Sequence, residues 1–193
     1  MLLSDSDTAL TGSEYFRYHE ERSITFVQRY ISRTALPSIY AGNCAYIIRC
    51  TDFDLDPRSL TPPSEEIKLA GQVVGSADIL AQMADRYYLE SLPLLFQEQK
   101  EGAAHTYATP LELMQRTTHF FHTTIEERLQ TIFSDVSRAM SSHFRERWGI
   151  EKDLYAENMQ KNVRYLETII ERCKSEQRCI EGYLRRTPPA CSS

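Results

Sequence analysis

Long apolar runs are absent from this 193-residue chain, so no segment approaches the roughly 18 residues that a membrane-spanning helix needs. The opening MLLSDSDTAL has no basic stretch followed by an apolar core, and a secretory leader is not expected. No Cys-x-x-Cys pair occurs among the five cysteines, Cys44, Cys50, Cys173, Cys179 and Cys191. That spacing argues against a zinc knuckle and against a disulfide framework, and a reducing cytoplasm is the expected compartment. Basic blocks are missing as well: 22 Lys and Arg stand against 27 Asp and Glu, a net charge of −5. A nucleic acid is therefore not expected as a partner, nor is a membrane.

Glycine is scarce, at seven residues, and no stretch alternates β-branched with polar residues. Apolar residues instead recur at threes and fours, which predicts an all-α class. The pattern predicts a helix over residues 14–32, with Phe16, Ser23, Val27, Tyr30 and Ile31 along one side, and another over 37–50 facing inward through Cys44, Ile47 and Ile48. The segment TDFDLDPRSLTPPS is a loop, from which Thr61 or Ser64 starts the next helix. A break is expected near Pro93. Thr109, Pro110 and Glu112 form a capping box that opens one bent or two consecutive helices, and the last helix has Met159, Val163, Leu166, Ile170 and Cys173 in register. The closing TPPACSS reads as a disordered tail.

One carboxylate breaks the pattern. In IKLAGQVVGSADILAQMAD, residues Ile67, Ala70, Gly71, Val74, Ala77, Ala81 and Ala84 lie on one helical stripe, and Asp78 falls inside it. An ionised carboxylate on a buried stripe costs several kcal/mol unless compensated, by an Arg partner, by hydrogen bonds at a helix N-terminus or by a metal. Gly71 and Gly75 weaken the same helix by about 1 kcal/mol each relative to alanine, which suggests close backbone packing.

Two stretches, YHEERSITFVQRYI and EEIKLAGQVVGSADILAQMADRYYLESLPLLFQE, resemble the later half of an HD-domain metal-dependent phosphohydrolase. The helices after residue 100 look like the C-terminal extension of one bacterial branch. The resemblance implies an HD-like helical bundle: a partial core over residues 1–100, a helical extension over 101–180 and a tail over 181–193. It also implies a divalent metal (manganese, iron, magnesium, zinc and nickel are not distinguished), with Asp78 as the closing ligand, His19 beside it, and Glu20, Gln82 and Asp85 supporting. Such a metal activates water toward a phosphomonoester or phosphodiester, and the substrate would be a phosphorylated small molecule or nucleotide.

The family's His-Asp doublet has no counterpart, because the five histidines are followed by Glu20, Thr106, Phe120, Thr123 and Phe144. The chain thus reads as an N-terminally incomplete domain, a homologue with little or no activity. The alternative is a non-catalytic helical interaction or regulatory module, in which apolar surface left uncovered by missing helices is shielded by a partner or by a second copy.

The remaining candidates have plainer readings. His119 and His122, three apart, lack a third ligand at metal spacing and are expected along a helix side. His105 is expected in a solvated loop and His143 in the core. Glu21 is expected to face solvent. Asp52, Asp54 and Asp56 lack the glycine and distal glutamate of an EF-hand and read as a solvated acidic turn.

Overall fold

The computed structural model describes residues 15, 18–101, 107–173 and 176–186. They form eight α-helices and, among the described residues, no strand: α1 (His19–Ser32), α2 (Ile39–Arg49), α3 (Glu65–Met83), α4 (Tyr88–Glu101), α5 (Pro110–Phe120), α6 (Met140–Trp148), α7 (Leu154–Cys173) and α8 (Gln177–Tyr183). The class is all-α, as the periodicity predicts. Phe16, His105 and the TPPACSS tail lie outside the described residues.

Two helix starts, those of α3 and α5, follow the local chemistry closely. Ser64 Oγ accepts from the Ile67 amide at 3.3 Å, and Thr109 Oγ1 accepts from the Glu112 amide at 3.1 Å, each satisfying one of the unpaired N–H groups of a first turn. Glu112 completes its box one residue early, its Oε2 accepting from the Ala108 amide at 2.8 Å. Pro93 does not break the chain. It lies inside α4, and the break comes earlier, between α3 and α4. A proline in a helix forfeits one backbone hydrogen bond, and burial of Leu89, Leu92 and Phe96 on the same helix offsets that loss.

The helical rod that begins at α5 changes pitch rather than ending. Residues Phe121–Ile125 and Arg128–Ile132 are π-helical. Phe121, Ile125, Leu129 and Phe133 are all buried at a strict spacing of four. On an α-helix of 3.6 residues per turn a four-residue spacing drifts by about 40° per step, and the wider π turn takes that drift out, keeping the four side chains on one line. The rod ends where Ser134 and Asp135 take left-handed φ values of 53° and 59°. A 3₁₀ turn over Val136–Ala139 then leads into α6.

Two apolar clusters hold the helices together. One gathers Tyr46, Cys50, Ile79, Leu80 and Met83 with the Phe121–Phe133 line and with Met159 and Val163 of α7. The other gathers Leu89, Leu92, Phe96, Leu113 and Met114 with Leu166, Ile169, Cys173 and Ile180. Helix α7 serves both. Its buried line runs through Ile169, with Ile170 only half-buried beside it.

Several inward faces differ from the periodicity reading. On α1 the buried residues are Ile24 and Ile31, while Ser23 and Tyr30 are exposed; on α2 they are Ala45 and Tyr46, with Cys50 just beyond, and Cys44, Ile47 and Ile48 are only half-buried. On α3 the buried face is Gly71, Gly75, Ser76, Ile79, Leu80 and Met83, whereas Val74 and Ala81 of the expected stripe are exposed. The glycines set this rotation. Their bare backbone receives Cys50 and Tyr46 at Gly71, and Phe133 and the Cys50 carbonyl at Gly75, so the side carrying them turns inward and the residues in phase with them follow.

Two further expectations are corrected. Cys173 and Cys179 form a disulfide, joining the end of α7 to α8 across six positions, a spacing outside the Cys-x-x-Cys pattern. His143 is exposed, its ring edge-on to Trp148 at 4.9 Å between centroids, because α6 turns Phe144 inward in its place.

Candidate functional site

The residues proposed from sequence fall into two groups, and the first lies at the start of α1. His19 Nε2 meets Glu20 Oε1 at 2.9 Å, the His19 side chain half exposed and that of Glu20 only 14% exposed. Burial pushes the Glu20 carboxyl above its ordinary range; nearby Asp52 and Asp54 add to the shift, while its backbone hydrogen bond and His19 oppose it. Glu21 points the other way, toward solvent, where Arg49 of α2 binds it at 3.0 Å. Consecutive helical residues diverge by about 100°, so one glutamate is turned in and the next out.

The acidic loop beside Glu20 is a turn with Asp54 and Asp56 exposed, as expected, and it is fixed by its own side chains. Asp52 Oδ1 accepts from the Asp54 amide at 2.8 Å, and Asp56 caps the 3₁₀ turn Pro57–Ser59 through the Arg58 amide at 2.9 Å. The Arg58 guanidinium grips the same Asp56 carboxylate at 2.8 Å and 3.0 Å, holding that carboxyl below its usual range. From the opposite side comes Arg128, 4% exposed and carried on the π-helical stretch. It donates to the carbonyls of Asp52, of Phe53 at 3.2 Å and of Leu55 at 2.8 Å, and lies over the Phe53 ring at 5.0 Å. Its burial lowers the guanidinium pKa, opposed by Asp52 and Asp56. Nothing in the linear pattern marks Arg128. An arginine on an amphipathic helix looks solvated until the loop it clamps is known.

The second group lies along α3. Asp78 is half-buried on the flank of the core-facing side, and its Oδ1 accepts from Gln82 Nε2 at 3.4 Å, one turn on. Asp85 is exposed and turns back on its own chain to accept from the Tyr87 amide at 2.6 Å. Beside it Ala81, Ala84 and Asp85 form one wall of a groove of about 250 Å³ against Phe144, Leu154 and Tyr155. Among the contacts of the described residues, His19 meets Glu20 and Asp78 meets Gln82. Among the described residues no three of His, Cys, Asp or Glu stand close enough to hold one metal ion.

His122 lies along a helix side, as its spacing predicts, and bridges two helices. Its Nε2 meets Glu167 of α7 at 3.0 Å and its Nδ1 meets Glu126 at 3.4 Å, which raises the imidazole pKa.

No helix among the described residues is long and apolar enough to cross a membrane. What fold and site define is an all-α chain of packed helices with an acidic loop clamped by Arg128. Residues 4–144, well over half of its length, match the model of the Npun_R2479-like family. The chain belongs to that family. Neither curated proteins nor solved structures give a match.

Proposed function

We propose that this chain is a non-catalytic helical interaction module built on an HD-phosphohydrolase-type bundle. The observation that carries the reading is where its apolar surface lies. Phe26, Tyr30, Leu36, Ile39 and Tyr40 are 57%, 57%, 46%, 66% and 45% exposed, all within one short stretch around the corner between α1 and α2. Single exposed apolar residues are ordinary, but a run of them at one corner marks a surface that a partner covers. A photo-crosslinking residue in place of Ile39, with exposed Glu151 as control position, tests the reading in cells. Discrete adducts from position 39 alone are expected, and absence of adducts from both positions would sink it.

A second reading keeps the chemistry, and the half-buried Glu20 carboxyl beside His19 and near Asp52 and Asp54 favours it. His19 and Asp78 would then be ligands to a divalent metal, which supplies an activated water for phosphate-ester hydrolysis. One imidazole and one carboxylate fall short of the three protein ligands usual in a catalytic site. The check is metal analysis of the purified chain followed by assays on phosphomonoesters and phosphodiesters. Stoichiometric metal with turnover lost in Asp78→Ala would establish it; a metal-free, inactive chain would remove it.

A further inference from the structure

The charge around the α1–α2 corner specifies what kind of partner fits there, an inference that rests on the interaction reading above. From Arg22 to Thr51 the chain carries four arginines, Arg22, Arg29, Arg33 and Arg49, and neither Asp nor Glu. Those four positive charges leave the remainder at −9, since the whole carries −5. Arg49 is bound by Glu21, and Arg22 lies over the Tyr15 ring at 4.1 Å. Arg29 and Arg33 are exposed, and none of the ion pairs among the described residues engages them. Phe26, Arg29, Tyr30 and Arg33 follow one another at helical spacings of three and four, so apolar and cationic groups share one exposed face leading into Leu36 and Ile39.

We infer that this corner binds an acidic amphipathic helix of another protein. Its apolar side chains would sit against Phe26, Tyr30, Leu36 and Ile39, and its carboxylates against Arg29 and Arg33. Among the described residues there is no strand edge for an extended peptide to join, whereas a helix can lay an apolar face along the exposed side chains of α1 and the start of α2. A second copy fits less well, because a two-fold interface through this corner gathers Arg29 and Arg33 of both copies into one patch without a carboxylate from the same stretch. An anionic bilayer or a nucleic acid presents an extended charged surface that would also face the remainder at −9, whereas a single acidic helix meets the corner alone.

The test uses the full chain and two labelled helical peptides with the same leucine and phenylalanine stripe, one flanked by glutamate and the other by lysine. Fluorescence anisotropy should show the glutamate peptide binding at least about tenfold more tightly, and more weakly as salt is raised. The double variant Arg29→Glu with Arg33→Glu should invert the preference, Phe26→Ser with Ile39→Ser should weaken both peptides, and circular dichroism should remain that of the parent. Equal binding of both peptides that Phe26→Ser with Ile39→Ser abolishes would overturn the acidic partner while leaving the apolar surface standing. Binding of neither peptide by a chain that sediments as a monomer would overturn the acidic partner and the interaction reading together. Tighter binding to phosphatidylserine vesicles or duplex DNA than to the glutamate peptide, or a dimer that the arginine reversals strengthen, would also overturn it in favour of that occupant.

Discussion

Gly75 lies directly against Phe133: a methyl group on Gly75 would come within 2.5 Å of the ring's Cζ and 2.9 Å of the Cys50 carbonyl oxygen. Phe133 is fully buried and cannot swing aside. Gly75→Ala is therefore expected to destabilise the chain by about 1–3 kcal/mol despite the better helix propensity of alanine. Gly42, inside α2, has nothing within 4 Å of the same position, and Gly42→Ala should stabilise by about 0.5–1 kcal/mol. Urea melts of the pair check both signs, and equal effects at the two positions would contradict the packing described.

Arg128 holds the acidic loop through three main-chain carbonyls. Arg128→Ala leaves those carbonyls without their cation and empties a buried site, at an expected cost on the order of 3 kcal/mol. Arg128→Lys should recover only part of it, because one ammonium cannot span acceptors that a planar guanidinium reaches together. Hydrogen exchange should show faster amides at residues 54 and 58 in both variants; unchanged protection in Arg128→Ala would mean that the loop is ordered by other contacts.

His122 ties the α5 rod to α7 through Glu167 and Glu126, and these carboxylates raise its pKa above the ordinary 6.5. A histidine raised on folding adds stability that is fully present below the unfolded value and is lost as pH rises through the folded value. Stability should thus fall modestly above pH 6.5, by no more than the roughly 0–1 kcal/mol of an exposed pair, since the side chain is 53% exposed. His122→Gln should flatten that part of the profile, and thermal melts across neutral pH would show whether it does.

Asp78 accepts only from Gln82 at 3.4 Å among the described residues and keeps partial contact with water. Asp78→Asn is expected to change stability by less than about 0.5 kcal/mol in the presence of chelator. A loss beyond about 2 kcal/mol without metal would reveal a structural partner, and one that appears only with added Mn²⁺ would favour the metal-binding reading.

Local chemistry decides what the sequence alone determines here. A serine or threonine one residue before a helical run, with Pro110 and Glu112 behind Thr109, acts through atoms a few positions apart, and both Ser64 and Thr109 are caps. The all-α class was legible for the same reason, in the threes and fours of the apolar residues. That Glu20 and Glu21 diverge also followed from helical angle, though the angle does not say which of them turns in. Tertiary structure decided which side of each helix is buried. On α3 the alanines and valine of the expected stripe and the true buried face, apolar apart from Ser76, look alike in the sequence, and only the approach of Cys50 and Phe133, twenty to sixty positions away, selects between them. Arg128 reads as a solvated residue until the carbonyls of residues 52–55 converge on it from more than seventy positions away. The cationic apolar corner was hidden differently: its four arginines are averaged into a net charge of −5, and they become a feature only when packing leaves Phe26, Tyr30 and Ile39 outside beside Arg29 and Arg33. Burial is a relation between distant segments, and no single helix carries it in its own spacing.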